Sequence, residues 1–211
     1  MEIIWLGHSC FRLRTNDLVV VTDPFPDSIG LQMGSVRGLA VTVSHQHDNH
    51  SHWQGVEGNP RVLSGPGEYE LSGIYVTGVM TPRSANDPED KRNTAYLIEM
   101  ENLRLCHLGD VSRSLSARQV EELAPVDILF VPSGGVCTVE VPQAIELIQS
   151  LEPKMVIPMH YGLPDLTVGL GGLDVLLREM GLRDAQPRRP AYPKRCRLCS
   201  WNPRGHGRSV S

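Results

Sequence analysis

Ten residues, Val43-Ser44-His45-Gln46-His47-Asp48-Asn49-His50-Ser51-His52, hold four of the eight histidines in the chain. Neutral imidazole is the commonest protein ligand of zinc and similar divalent ions, so this stretch points first to a metal centre. It follows an apolar, β-rich run at residues 39–44. Side chains two apart on an extended chain face one side, which would aim His45 and His47 together. His50 reaches the same point only if the chain turns at Asp48-Asn49, and both residues are turn formers. The competing reading is a solvated, histidine-rich loop, and three imidazoles at this spacing directly after a strand weigh against it.

Other polar residues end apolar runs in the same way. Residues 18–22 are almost wholly apolar and stop at Asp23-Pro24. A carboxylate there is costly to bury unless paired, and one role open to it is to accept the second ring N–H of a metal-bound histidine; a turn or capping aspartate is the local alternative. A strand over 103–108 stops at Gly109-Asp110, where glycine permits close approach of the backbone. A strand over 155–159 stops at His160-Tyr161. Four runs thus end on ligands or their supports, and open α/β sheets gather such groups beyond the carboxyl ends of their strands.

The elements that would carry these residues are strands over 3–6, 10–13, 18–22, 39–44, 61–64, 68–71, 74–79, 94–100, 103–108, 127–131 and 155–159. A capping box at Ser116 and Gln119 opens a helix through Leu123, Pro142 sits in the first turn of a helix to Leu151, and a last helix is closed by Gly181. Residues 24–38 and 80–93 read as loops, the second too polar for a core.

In motif order the chain resembles the metallo-β-lactamase fold hydrolases, and within them the small branch that includes L-ascorbate 6-phosphate lactonase. The matching pieces are Trp-Leu-Gly-His-Ser-Cys-Phe at 5–11, Thr-Asp-Pro-Phe at 22–25, Val-Ser-His-Gln-His-Asp-Asn-His at 43–50, Gly-Pro-Gly-Glu-Tyr-Glu at 65–70, His-Leu-Gly-Asp at 107–110 and Ile-Pro-Met-His-Tyr at 157–161. The resemblance implies an αββα sandwich of two mixed sheets flanked by helices, spanning residues 1–181. It implies zinc as cofactor, one or two ions, with manganese or iron as alternatives. His45 and His47 match one metal position, His50 and His160 the other, and Asp110 the carboxylate shared by both, with Asp23 steadying the histidines. The implied reaction is hydrolysis of an ester, lactone or phosphoester by metal-activated water.

Two positions depart from the family pattern. Asn49 stands where the motif carries an aspartate, and asparagine cannot accept a proton as a general base. Arg83 stands where relatives carry a third histidine, and arginine stays protonated and does not ligate. The catalytic candidates are therefore Asp110, Asn49 and Asp23. The substrate-contact candidates are Arg83, which could hold an anionic group, His8 and Tyr161; a solvated arginine and a structural histidine are the plain alternatives for the first two. His50, Asp110 and His160 alone would leave one coordination place open, as in a single-metal enzyme. A non-catalytic descendant acting as a binding protein is the reading of a different class.

Composition sets the outer bounds. At 211 residues and 40% hydrophobic side chains the chain can bury a substantial core. Residues 1–180 carry 12 basic and 23 acidic side chains, a balance of −11, whereas residues 181–211 carry +7. The acidic body argues against nucleic acid across the main surface, and an RNA-cleaving member of the fold would also carry an inserted domain. Residues 182–211, rich in proline, glycine and arginine, read as a disordered tail through which an anionic partner or nucleic acid could bind. No apolar run is long enough to span a bilayer and no signal peptide opens the chain, so a cytoplasmic protein with a small-molecule substrate is expected, with a homo-oligomer compatible. Five cysteines, an odd number, suit reduced thiols rather than a disulfide framework.

Overall fold

The computed structural model describes residues 1–82 and 92–182. Arg83 and the segment from residue 183 onward lie outside the described residues, and so do the readings placed on them.

The chain opens with β1 (Glu2–Gly7), β2 (Cys10–Thr15) and β3 (Leu18–Thr22), antiparallel neighbours joined by tight turns. Then come β4 (Val36–Arg37), β5 (Ala40–Val43), β6 (Val56–Glu57) and β7 (Arg61–Ser64). Strands β5 and β7 add in parallel to β3, giving a mixed sheet of order β1-β2-β3-β5-β7. All four side chains of β5 are buried, as a parallel strand covered on both faces requires.

A second mixed sheet is built from β8 (Gly67–Leu71), β9 (Ile74–Thr81), β10 (Asn93–Met100), β11 (Leu103–His107), β12 (Ile128–Pro132) and β13 (Met155–Met159), in the order β13-β12-β11-β10-β9-β8. Its last three strands are parallel, with α1 (Ala117–Leu123) and α2 (Val141–Leu151) as crossovers, and α3 (Asp174–Glu179) follows. The Ser116–Gln119 capping box closes in both directions, and Pro142 lies in the first turn of α2.

Three apolar clusters explain the layering. Phe11, Leu13, Val20 and Leu63 of the first sheet pack against Ile74, Val76, Ile98, Leu105 and Phe130 of the second, the core between the sheets. The outer face of the second sheet buries Leu97, Leu129 and Val131 under Leu123, Ala144, Leu147 and Ile148 of α1 and α2. The outer face of the first sheet is covered differently. Val21, Val41 and Val43 lie under Phe25, Ile29, Leu31 and Met33, with Val36 and Val56 of a parallel two-stranded ribbon, β4 and β6. Residues 24–38, expected as a plain loop, therefore form the covering layer on that side, and a two-residue strand is too short for its periodicity to show in the sequence.

The two sheets are also tied by polar struts. Tyr96 on β10 donates its hydroxyl toward the Val43 and Leu63 carbonyls at 3.0 and 3.1 Å, the carboxyl ends of β5 and β7. His107, fully buried, donates from Nε2 to the Ser9 carbonyl at 2.8 Å, while its Nδ1 accepts the Gly109 N–H. Replacing Tyr96 by Phe keeps the ring and leaves buried carbonyls without their donor. The expected cost is about 1–3 kcal/mol, read as a lower urea midpoint at unchanged m value; an unaltered midpoint would show that the strut carries no net stability.

Candidate metal centre

Parallel strands of both sheets deliver their carboxyl ends to one place. In the first sheet β3 ends at Asp23 and β5 at Ser44-His45; in the second β11 leads to Asp110 and β13 to His160. Gly109 makes the approach possible. It adopts φ 57°, and a Cβ there would lie 2.4 Å from Asn93 Oδ1 and 2.5 Å from Ser44 Cβ. Asn93, wholly buried at the start of β10, accepts the Asp110 N–H at 2.8 Å and donates to the Leu108 carbonyl and Thr81 Oγ1.

Asp110 sits at the middle of the resulting cluster. Its Oδ2 lies 3.4 Å from His50 Nε2 and 3.7 Å from His45 Nε2, and its Oδ1 lies 3.3 Å from His160 Nε2. All four side chains are buried. Burial would raise the Asp110 pKa, but the electrostatic influence of the surrounding His160, His50 and His45 imidazoles outweighs it and shifts the carboxyl below its ordinary value. Asp23 is buried behind the cluster and accepts three hydrogen bonds: from Ser44 N–H at 2.8 Å, from the Ser44 hydroxyl, and from His50 Nδ1–H at 2.9 Å. Burial raises its pKa too, and the hydrogen bond from His50 with the nearby His107 reverses the shift.

The remaining candidates are placed as follows. The chain leaves β5 at Val43 and coils, with His50 N–H bonded to the His47 carbonyl at 2.8 Å, so strand alternation stops before His47. His45 is therefore buried while His47 is exposed, its Nδ1 accepting the Asn49 N–H at 3.3 Å. The His47 ring nevertheless lies beside the cluster, its centroid 5.9 Å from that of His45 and 6.2 Å from that of His50, so the turn after β5 brings the two histidines together at the rim of the centre. Asn49 is half-buried in the turn. His52 turns away, into a groove with Phe25 and Met33. Tyr161 is half-buried against Trp5, with ring centroids 5.2 Å apart. His8 is buried beside His50 and His160, its rings 4.7 and 4.4 Å away. Residues that strand-end reasoning did not single out are Asn93 and Cys137. Cys137 is an exposed residue of the β12–α2 loop whose sulfur lies within 4.8 Å of ligand atoms of Asp110 and His160. The Gly134-Gly135 pair before it was the available signal of close approach: a Cβ on Gly134 would meet the His160 carbonyl at 2.4 Å.

The donor set fits a divalent cation. Among the described residues three groups of ligand atoms lie within 4.8 Å of one another: His8, His50 and His160; His45, His50 and Asp110; and Asp110, Cys137 and His160. Among the described residues Asp110 Oδ1 and His160 Nδ1 are buried without a hydrogen-bond partner. A buried carboxylate ringed by imidazoles costs free energy unless a cation or protons compensate it. His47 joins none of these groups.

A family model described as a beta-lactamase superfamily domain matches residues 2–160. The chain belongs to this superfamily. It is 29% identical over 208 residues to a UPF0173 protein of Pyrococcus abyssi, spanning 87% of this chain and 92% of that one. It is 26% identical over 194 residues to a UPF0173 metal-dependent hydrolase of Bacillus thuringiensis subsp. konkukian, spanning 76% and 86%. A candidate Zn-dependent hydrolase of the metallo-β-lactamase superfamily from Thermotoga maritima superimposes with a TM-score of 0.71 at 37% identity, over 84% of each chain. The two facing mixed sheets are the fold that this family shares. Among the described residues no helix is long and apolar enough to cross a membrane.

Two measurements probe this centre without a substrate. Asp23→Asn presents an amide where three donors converge, so His50 loses its orienting acceptor. The expected outcome is metal affinity weakened about 10- to 100-fold in competition with a chromophoric chelator, and equal affinity would remove Asp23 from any supporting role. The second is pH dependence of the metal-free protein. Burial holds His8, His107 and His160 neutral, with pKa values below the ordinary 6.5. The unfolded chain binds protons that the folded one does not, so stability is full above about pH 6.5 and falls as the pH drops below it. Thermal unfolding between about pH 8 and about pH 5 should show that loss; a flat profile would contradict the burial of neutral imidazoles.

Proposed function

We propose that this protein is a metal-dependent hydrolase that uses metal-activated water on an ester, lactone or phosphoester bond of a small anionic substrate. The observation that carries the reading is the meeting of His45, His50, Asp110 and His160, from three strand ends in two sheets, around one buried carboxylate. Membership of the superfamily and the names of the relatives support it.

Zinc suits this imidazole and carboxylate set, and manganese or iron(II) is accommodated by the same donors. The residues that would hold it are His45, His50, Asp110 and His160, with His47 proposed as a further ligand at the rim, its ring beside those of His45 and His50. When bound, a divalent ion supplies Lewis-acid polarisation of a carbonyl or phosphoryl oxygen and acidifies water from about 15.7 to about 7. The chain supplies the rest. Asp23 fixes the His50 ring so that Nε2 faces inward, and Asn93 fixes the Asp110 backbone. Asp110 stays ionised, and its Oδ1 has no hydrogen-bond donor. With Asn49 unable to take a proton, Asp110 is the anionic side chain at the centre. Exposed Cys137 and half-buried Tyr161 adjoin His160 and are proposed as substrate contacts, with Arg83 proposed as a contact for the anionic group.

The test is metal analysis of the purified protein followed by turnover on a panel of lactones and phosphoesters. About one tightly held ion per chain is expected, with activity reduced at least about 100-fold in Asp110→Ala and in His160→Ala. Activity untouched by both substitutions would refute the site. Metal binding without turnover of any panel member would favour the binding-protein reading instead.

A further inference from the structure

His8 is a buried side chain with no task in the centre as proposed so far. It lies in the Gly7-His8-Ser9 turn between β1 and β2, is 1% exposed, and neither ring nitrogen has a hydrogen-bond partner among the described residues. His107 shows what a structural histidine looks like in the same core, with one nitrogen donating to a carbonyl and the other accepting an amide. Buried polar groups in folded proteins are almost always satisfied, and an orphaned imidazole calls for an occupant.

The backbone holds His8 at the centre at some cost. Its φ is 51°, a left-handed conformation uncommon outside glycine. The His8 carbonyl accepts the Trp5 indole N–H at 3.0 Å and the His160 backbone N–H at 3.1 Å, so the first hairpin and the end of β13 are clipped together. That clip sets the His8 ring edge-on to His50 and His160, and ligand atoms of the three lie within 4.8 Å of one another. Small side-chain movements bring three such nitrogens to the bond length of about 2.0–2.1 Å around one zinc.

We propose that His8 is a metal ligand: His8, His50 and His160 form a three-imidazole position with Asp110 as its anionic side. The proposal rests on the reading of this centre as a metal site. It explains how a chain with Arg83 in place of a third histidine still assembles three buried imidazoles.

The experiment uses Zn²⁺ and Co²⁺ as probes on the full-length protein and on His8→Asn and His8→Gln. Asparagine tolerates the left-handed backbone, and glutamine keeps the length of the side chain. The expected result is a loss of Zn²⁺ affinity of more than about 100-fold by chelator competition. The visible Co²⁺ spectrum should weaken as four-coordinate geometry is lost, while the metal-free variants unfold no earlier than the wild type. A purely structural His8 gives the reverse, with earlier unfolding of the metal-free variants at unchanged affinity and Co²⁺ spectrum, and this would overturn the proposal. X-ray absorption of the Zn²⁺-loaded wild type counts imidazoles without any substitution, and fewer than three would overturn it as well. A wild type that binds neither ion would defeat the metal-site reading itself, and this inference with it.

Discussion

The whole centre depends on the burial of one carboxylate. Asp23 is inaccessible to solvent, at the end of β3, and answers the cost of burial with three donors from the neighbouring parallel strand and the turn beyond it. Desolvating an ionised carboxylate costs several kcal/mol, roughly what a few charge-assisted hydrogen bonds return. The net contribution to stability is therefore small, and what the arrangement provides is direction. Ser44 is held at the end of β5, and the His50 ring is locked with Nδ1 outward and Nε2 toward Asp110. A neutral side chain at position 23 could fill the same volume and would leave His50 free to rotate.

The second requirement is that both sheets be present. Asp23, His45 and His50 belong to the first, Asp110 and His160 to the second, and His8 to the hairpin that closes the gap. The ties that hold these groups in place are few and specific: the Tyr96 hydroxyl on the ends of β5 and β7, His107 on the Ser9 carbonyl, the Asn93 amide oxygen on the Asp110 N–H, and the His160 N–H on the His8 carbonyl. The cluster does not exist in either sheet alone. Binding of an ion would therefore act on the packing of the sandwich as a whole, since the ligands come together only in the folded chain.

Much of this was legible in the sequence because strand ends are local signals. Apolar runs that stop at Asp23, at Ser44-His45, at Gly109-Asp110 and at His160 can be seen without knowing how they pair, and the eleven expected strands are present with small shifts at their ends. What was not legible depended on the path of the chain outside regular structure. The β4–β6 ribbon arises from two short segments that meet only because the 24–38 stretch folds over the first sheet. Cys137 and Asn93 carry no motif. Their nearness to Asp110 follows from the pairing of β10 with β11 and from the return of the β12–α2 loop, both long-range facts.

Charge at the centre bears on what it could accept. Asp23 and Asp110 are both held ionised by their imidazole neighbours. Two carboxylates offset one divalent ion, whereas an aspartate at position 49 would leave the centre negative, so Asn49 removes a local barrier to an anionic substrate. The surrounding body has the opposite tendency, with a balance of −11 over residues 1–180. These effects differ in range. At physiological ionic strength the field of exposed charges is screened over about 8 Å, while groups buried beside the reacting atoms act almost unscreened. Recognition of an anion at this site must then come from donors within contact distance, and the acidic surface would slow its arrival more than it would weaken its binding.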